Sequence, residues 1–234
     1  MKILGIIPAR YGSSRFPGKP LINLGGKSMV QRVYEQAQKA NLDKVVVATD
    51  DERIFNAVVD FGGKAVMTSS EHPSGTDRCL EALQKMEEKF DAVINIQGDE
   101  PFIHPEQIQK IANCLQEQNT QIATLGKAVS KKEDVLDINA PKVFYNSQMI
   151  ATAFEREVDF NEETQYYHHI GIYGYKQDIL AEITHLKPSK NEIEKRLEQL
   201  RWLDNGYNIR VELTEHESVS IDTPEDVEKI AHLL

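Results

Sequence analysis

The sequence predicts an α/β protein with a mainly parallel sheet. Apolar runs at 2–7, 44–49 and 65–68 alternate with stretches whose apolar residues recur at helical spacing. Helices that alternate with strands in this way are crossover connections, and crossovers place neighbouring strands parallel to each other. The chain has 234 residues, which is enough for one large α/β domain.

Each predicted helix begins at a recognisable start signal. Ser28, with Gln31 three residues later, has the capping-box pattern and starts the first helix. Asp50-Asp51 caps the second, and either Ser74 or Thr76 caps the third. Pro105 occupies the favoured first position of a fourth helix.

The pattern continues with strands at 91–97 and 121–129 and then changes. Short strand-like runs within 139–175 predict an antiparallel insertion that serves as a lid or a dimer surface. A single helix is expected over 191–204. We therefore predict one domain, 1–234, with this insertion inside it.

Composition narrows the function class and the compartment. The formal net charge of −10 argues against a nucleic-acid partner. Cys79 and Cys114 lie far apart at apolar helix positions, which favours buried free thiols and a reducing compartment over a disulfide or a metal site. The N-terminal apolar run is short and meets Arg10, and no run approaches membrane-spanning length. We expect a cytoplasmic protein without a membrane partner.

A cationic loop follows the first strand. Between residues 8 and 20 it combines glycine, serine and proline with Arg10, Arg15 and Lys19, and no acidic residue precedes Glu35. Such a loop at the carboxyl end of a strand predicts a site for a small, highly charged anion; the alternative is a solvated basic loop. The loop matches neither G-x-x-x-x-G-K-[ST] nor G-x-G-x-x-G, which disfavours a P-loop protein and an NAD(P)-dependent dehydrogenase.

Other candidate site residues follow the remaining strands. Asp99 follows the 91–97 strand after one glycine, at a place where α/β enzymes hold a divalent cation; the alternative is a plain turn. Asp222 lies just outside the cap of the last helix, and its alternative is a surface aspartate. Arg78 is a cation in a first helical turn, which indicates a nearby anion. His169 is either a pocket residue or a structural strand histidine.

Several motifs together, in this order and spacing, resemble the CMP-Kdo synthetases, which are 3-deoxy-manno-octulosonate (Kdo) cytidylyltransferases. The motifs are P-A-R-Y-G-S-S-R-F-P-G-K-P from Pro8, V-A-T-D-D-E-R-I from Val47, S-G-T-D-R-C from Ser74, N-I-Q-G-D-E-P-F-I from Asn95, H-I-G-I-Y-G-Y from His169, L-E-Q-L-R-W-L from Leu197 and I-D-T-P-E-D-V from Ile221.

This resemblance implies a Rossmann-like nucleotidyltransferase fold with a mixed, mostly parallel sheet. It also implies a homodimer that transfers CMP from CTP to Kdo with Mg²⁺, for lipopolysaccharide biosynthesis. The implied catalytic residues are Arg10, Lys19, Asp99 and Asp222, of which the two aspartates bind the metal. The implied nucleotide-binding residues are Pro8, Ala9, Arg10, Ser13, Arg15, Lys19, Ser74 and Gly75. The implied sugar-binding residues are Arg78, Gln97, Arg156, His169, Glu198 and Gln199.

One segment departs from the family pattern. The family string A-L-Y-F-S-R aligns with residues 151–156, where Glu155 puts a negative charge in place of a neutral hydroxyl. The resemblance assigns sugar contacts and dimer packing to this region, so the preferred acid sugar stays open. The alternatives are a cytidylyltransferase for 8-amino-Kdo or a nonulosonic acid, and a non-catalytic nucleotide-binding homologue.

Overall fold

Each apolar run predicted near the N-terminus forms a strand in the computed structural model, which describes residues 1–12, 16–217 and 219–230. The chain divides into two units, Met1–Gln109 with Ser218–Leu234, and Lys110–Glu217. Within the described ranges, no helix has both the length and the apolar character needed to cross a membrane.

The first unit contains the predicted parallel strands. They are β1 (Ile3–Ala9), β4 (Lys44–Thr49), β5 (Ala65–Met67) and β6 (Ala92–Asn95), with a small hairpin of β2 (Asn23–Leu24) and β3 (Lys27–Ser28). The strands lie side by side in the order β6-β1-β4-β5, and every neighbouring pair is parallel. The predicted parallel arrangement is therefore confirmed for these strands.

The helices of this unit begin at the predicted caps. They are α1 (Met29–Gln38), α2 (Glu52–Asp60), α3 (Gly75–Gln84) and α9 (Pro224–Lys229); α4 (Pro105–Gln116) contains the boundary between the units. The Ser28 side chain accepts a hydrogen bond from the Gln31 amide, and the Asp51 side chain accepts one from the Arg53 amide. Cys79 and Cys114 are buried free thiols, as predicted.

The C-terminal segment packs against the hairpin and α1 of the same unit. Leu24, Met29, Ile221 and Ile230 form a buried apolar cluster. The Ile221 amide also donates a hydrogen bond of 2.9 Å to the main-chain carbonyl of Asp99. Apolar burial and this bond together bring the residue after Ile221 beside the end of β6.

The second unit carries the antiparallel strands predicted within 139–175. Its elements are β7 (Ile122–Val129), α5 (Lys132–Leu136), β8 (Lys142–Tyr145), β9 (Ala151–Glu155), β10 (Tyr166–Lys176), α6 (Gln177–Ile183), α7 (Lys190–Lys195), α8 (Gln199–Asp204) and β11 (Ile209–Leu213). β7 pairs parallel with β11 and antiparallel with β10, and β8 pairs antiparallel with β9 and β10.

The prediction of a single helix over 191–204 is wrong, because two helices, α7 and α8, occupy this segment. Arg196, between α7 and α8, has a φ of 53°, a left-handed conformation that ends an α-helix. Arg156 stabilises this break by donating to the main-chain carbonyls of Lys195 and Arg196. Ile193 is 66% exposed, whereas Leu197 is buried.

Candidate active site

A cavity of about 410 Å³ lies in the first unit at the carboxyl ends of β1 and β6. It is lined by the predicted residues Pro8, Ala9, Arg10, Lys19, Ser74, Gly75, Arg78, Gln97, Asp99 and Asp222. Because β1 and β6 are parallel neighbours, the segments that leave them emerge at one edge of the sheet. The predicted residues Ser13 and Arg15 lie outside the described residues.

The two segments approach each other so closely that a side chain does not fit at Gly98. A Cβ atom added there would lie 2.5 Å from the Pro8 carbonyl oxygen. That oxygen belongs to the backbone and cannot rotate away as a flexible side chain would. The glycine that precedes Asp99 is therefore a steric requirement of the cavity wall.

Lys19 lies between the two predicted metal-binding aspartates. Its Nζ is 2.9 Å from Asp99 Oδ2 and 3.2 Å from Asp222 Oδ1. The Lys19 side chain is 13% exposed, and the carboxylates are 29% and 37% exposed. Two carboxylates thus converge on one cationic atom at the floor of the cavity. Such a pair of hard oxygen ligands fits the preference of a divalent cation such as Mg²⁺.

Lys19 is held in this position by a short helical turn. Residues Lys19–Leu21 form a 3₁₀ turn, and Gly18 precedes it with a φ of 73°. The Gly18 amide donates a hydrogen bond of 2.9 Å to the Tyr11 carbonyl, which closes the loop that leaves β1. Glycine suits this position because a positive φ is costly for other residues.

The start of α3 contributes another wall of the cavity. The Ser74 hydroxyl accepts hydrogen bonds from the Thr76 and Asp77 amides, as a cap does. Arg78 is only 2% exposed and donates to Thr68 Oγ1 at 2.5 Å and to Asp50 Oδ2 at 3.0 Å. Arg78 lies at the cavity as predicted, and Asp50 gives its charge an internal partner that sequence reasoning missed.

The loop that leads to Ser74 is anchored on Glu81. This carboxylate accepts a hydrogen bond of 2.8 Å from the Ser69 amide, pairs with Lys85 at 2.8 Å, and contacts His72. Burial opposes the ionisation of Glu81, but these hydrogen bonds outweigh it and lower its pKa from 4.5 to about 2. The loop is therefore held by a carboxylate that is ionised at neutral pH.

The second unit holds the remaining predicted sugar-binding residues. His169 Nε2 lies 2.9 Å from Thr124 Oγ1, and burial lowers the pKa of the imidazole from 6.5 to about 3. The ring is therefore neutral at pH 7 and acts as a hydrogen-bonding group rather than a charge. It lies 5.3 Å, centroid to centroid, from Tyr173, whose buried hydroxyl has no hydrogen-bond partner among the described residues. Burial and the charge of Glu198 raise the pKa of Tyr173.

Glu155 contacts the last residue of α7, and Arg156 contacts that residue and the turn that follows it. Arg156 donates to three main-chain carbonyls, those of Ile138, Lys195 and Arg196, so the described contacts give it a structural role. Glu155 Oε1 lies 2.7 Å from Lys195 Nζ. The negative charge that departs from the family pattern therefore has a cationic partner. Gln199, at the start of α8, is 5% exposed.

Comparison with known proteins gives concordant matches. A family model described as Cytidylyltransferase matches residues 4–230. A 3-deoxy-manno-octulosonate cytidylyltransferase of Parabacteroides distasonis is 53% identical over 98% of this chain and 96% of the relative. The mitochondrial 3-deoxy-manno-octulosonate cytidylyltransferase of Arabidopsis thaliana is 42% identical over 100% of this chain and 83% of its own length.

A solved structure of a CMP:2-keto-3-deoxy-manno-octonic acid synthetase complexed with CTP is also similar. It superimposes with a TM-score of 0.93 at 40% identity, over 100% of this chain and 98% of the other. The mixed, mostly parallel nucleotidyltransferase fold predicted from the sequence is therefore confirmed.

Proposed function

We propose a specific reaction for this chain, which belongs to the 3-deoxy-manno-octulosonate cytidylyltransferase family: it transfers CMP from CTP to Kdo and releases pyrophosphate. The observation that carries the proposal is the position of Lys19 between Asp99 and Asp222 in the cavity at the ends of β1 and β6. Cationic and anionic groups there are arranged as a nucleoside triphosphate and its counter-cation require.

The reaction needs positioning and charge neutralisation more than covalent help from the protein. The anomeric hydroxyl of the sugar attacks the α-phosphorus of CTP in line, and pyrophosphate leaves from the opposite side. Arg10 and Lys19 stabilise the negative charge that grows on the leaving pyrophosphate. Ser74 and Gly75 line the same cavity, and their main chain would contact the cytosine, as the family resemblance implies.

Asp99 and Asp222 would hold Mg²⁺, because their oxygens already converge on a single cationic atom. When bound, the ion supplies charge neutralisation at the phosphates and lowers the pKa of a coordinated hydroxyl. The hydrogen bond to Asp50 holds the Arg78 guanidinium in one orientation, so its other N–H groups are also oriented at the edge of the cavity.

The setting of the reaction follows from the same proposal. The activated acid sugar is used for lipopolysaccharide biosynthesis, and the enzyme acts as a cytoplasmic homodimer. The two buried free thiols support a reducing compartment.

A related acid sugar is the second candidate substrate, because Glu155 replaces a neutral hydroxyl in the segment that contacts the turn before α8. Either 8-amino-Kdo or a nonulosonic acid would then be preferred over Kdo. A non-catalytic homologue is disfavoured because Lys19, Asp99 and Asp222 are all present and in contact.

The test is pyrophosphate release from CTP and Mg²⁺ with Kdo, 8-amino-Kdo or a nonulosonic acid. We expect release with Kdo, and we expect Asp99→Asn to lower the rate by about 100-fold or more. Asp91→Asn is the matched control, because Asp91 accepts a hydrogen bond from the Lys2 amide at the opposite end of β6. Pyrophosphate release only with 8-amino-Kdo or the nonulosonic acid would identify that sugar, rather than Kdo, as the substrate. No pyrophosphate release with any sugar, or normal turnover by Asp99→Asn, would contradict the proposal.

A further inference from the structure

A stacked cation lies on the loop that carries Arg10 and Lys19. The guanidinium carbon of Arg53 is 3.3 Å from the centroid of the Tyr11 ring. This is well inside the range of about 6 Å over which a cation is attracted to the face of an aromatic ring. Tyr11 belongs to the loop after β1, and Arg53 belongs to the first turn of α2, so the contact joins two separate elements.

Arg53 is fixed on its other side by a carboxylate. Asp51 Oδ1 accepts hydrogen bonds from Arg53 Nε and from the Arg53 amide, both at 2.9 Å, and Asp51 Oδ2 accepts one from Nη2 at 2.6 Å. Asp51 is itself the N-cap of α2. The guanidinium plane is therefore held by a bidentate ion pair that is anchored to a helix end.

The Tyr11 ring also packs against Gly18, at the far end of the same loop. A Cβ atom added at Gly18 would lie 3.1 Å from two carbon atoms of the ring, and the Gly18 amide donates to the Tyr11 carbonyl. The ring thus fills the space that a side chain at Gly18 would need. Gly18 is followed directly by Lys19, so the ring lies next to the turn that holds the cavity's lysine.

We propose that Tyr11, Arg53 and Asp51 form a clamp that holds the two described ends of the loop after β1, at Tyr11 and at Gly18, in their binding positions before CTP arrives. The clamp fixes Arg10 and Lys19 relative to the cavity, so CTP does not have to order the loop on binding. These are positioning residues, because Arg53 contacts Asp51 and Tyr11, and none of the three is among the residues that line the cavity. The inference rests on the proposed use of CTP.

The chain offers a matched control for this contact. Lys44 pairs with the carboxylate of Glu88, and its Nζ lies 5.9 Å from the Phe90 ring centroid. It therefore also combines a cation, a carboxylate and an aromatic ring. Lys44 begins β4, whereas Arg53 lies beyond the end of β4. Lys44→Ala therefore removes a similar interaction that lies at the opposite end of β4 from Arg53 and far in sequence from the loop after β1.

The experiment measures the Kd for CTP by calorimetry without sugar, and the KM values for both substrates, in Tyr11→Leu, Arg53→Ala, the double variant, Tyr11→Phe and Lys44→Ala. We expect each of the two disruptive single variants to weaken CTP binding by about 2- to 5-fold, because Arg53 is exposed and the binding-competent positions of Tyr11 and Gly18 are populated less. The KM for the sugar should change by less than about twofold. In Tyr11→Phe and Lys44→Ala, the Kd for CTP should stay within about twofold of the wild-type value. The Kd of the double variant should not exceed the higher of the two single-variant values, because both substitutions break the same contact.

Hydrogen exchange of the ligand-free protein gives an independent measurement. The Gly18 amide should exchange at least about twofold faster in Tyr11→Leu and Arg53→Ala than in Lys44→Ala. Effects of the two single variants that multiply in the double variant, or unchanged CTP affinity and Gly18 exchange, would overturn the clamp. A wild type that binds CTP but shows no turnover would instead contradict the proposed function. The ratios of CTP affinity between the variants and the wild type would still test the clamp.

Discussion

Replacing Lys19 with methionine removes the cation that lies between two carboxylates. Its Nζ is 2.9 Å from Asp99 Oδ2 and 3.2 Å from Asp222 Oδ1, so these oxygens lie within about 6 Å of each other. Methionine keeps most of the apolar stem of lysine but carries no charge. Lys19→Met therefore leaves two partly buried negative charges facing each other.

The size of the effect follows from these distances. Two unit charges about 6 Å apart repel by about 0.7 kcal/mol in bulk water and by about 3 kcal/mol at the effective dielectric constant of a protein surface, and without Lys19 no positive charge between them offsets this repulsion. Both carboxylates are about one-third exposed, which places the expected loss of unfolding free energy at about 1–3 kcal/mol. For a chain of this size, each 1 kcal/mol shifts Tm by about 2–4 °C, so the expected shift is about 2–12 °C.

The assay is urea and thermal unfolding of the wild type, Lys19→Met and Lys19→Met/Asp99→Asn at low salt and without divalent cations. The double variant should recover at least about half of the lost stability, because the second charge is gone. The difference should shrink in about 1 M salt. A Lys19→Met variant as stable as the wild type, or a double variant no better than the single one, would refute the electrostatic argument.

Three further predictions concern the walls of the site. Gly98→Ala should cost about 1–3 kcal/mol of stability and weaken CTP binding, because its Cβ would lie 2.5 Å from the Pro8 carbonyl oxygen; urea unfolding and CTP titration check it, and unchanged binding would contradict the steric reading. Because the pKa of Glu81 is lowered, its contribution to the free energy of unfolding is complete above about pH 4.5 and is lost as the pH falls toward 2. Glu81→Gln should therefore flatten the pH dependence of the urea midpoint between about pH 5 and 3. Parallel curves for the variant and the wild type would refute this. Lys195→Glu should raise the KM for the sugar by about two- to fivefold, and the charge swap with Glu155→Lys should restore it; a swap no better than the single change would rule out the pair as the cause.

The regular elements that position the site follow from local sequence. The strand at 44–49 and the helix starts at Ser28, Asp51 and Ser74 lie where apolar spacing and capping chemistry predicted them. These signals act within a few residues, so one sequence is enough to recognise them. The cationic loop after β1 and the aspartate after β6 were also recognisable from the sequence, because basic residues attract anions and an acidic residue attracts cations.

The single helix expected over 191–204 shows where local patterns fail. Apolar spacing continues through the segment, yet Arg196 adopts a left-handed conformation and splits it. The contact that accompanies the break comes from Arg156, 40 residues earlier in the chain. A helical pattern contains no information about such a distant donor.

By itself, the sequence determined the parallel α/β core, the family, and the charged residues of the cavity, because periodicity, capping and motif order are local properties of the chain. Only the tertiary structure decided which of those charges meet. Lys19 contacts carboxylates 80 and 203 residues away, Arg78 pairs with Asp50 across 28 residues, and Arg53 lies on the ring of Tyr11. Such pairings depend on strand order and on how loops pack at one edge of the sheet, which sets distances that no local pattern encodes.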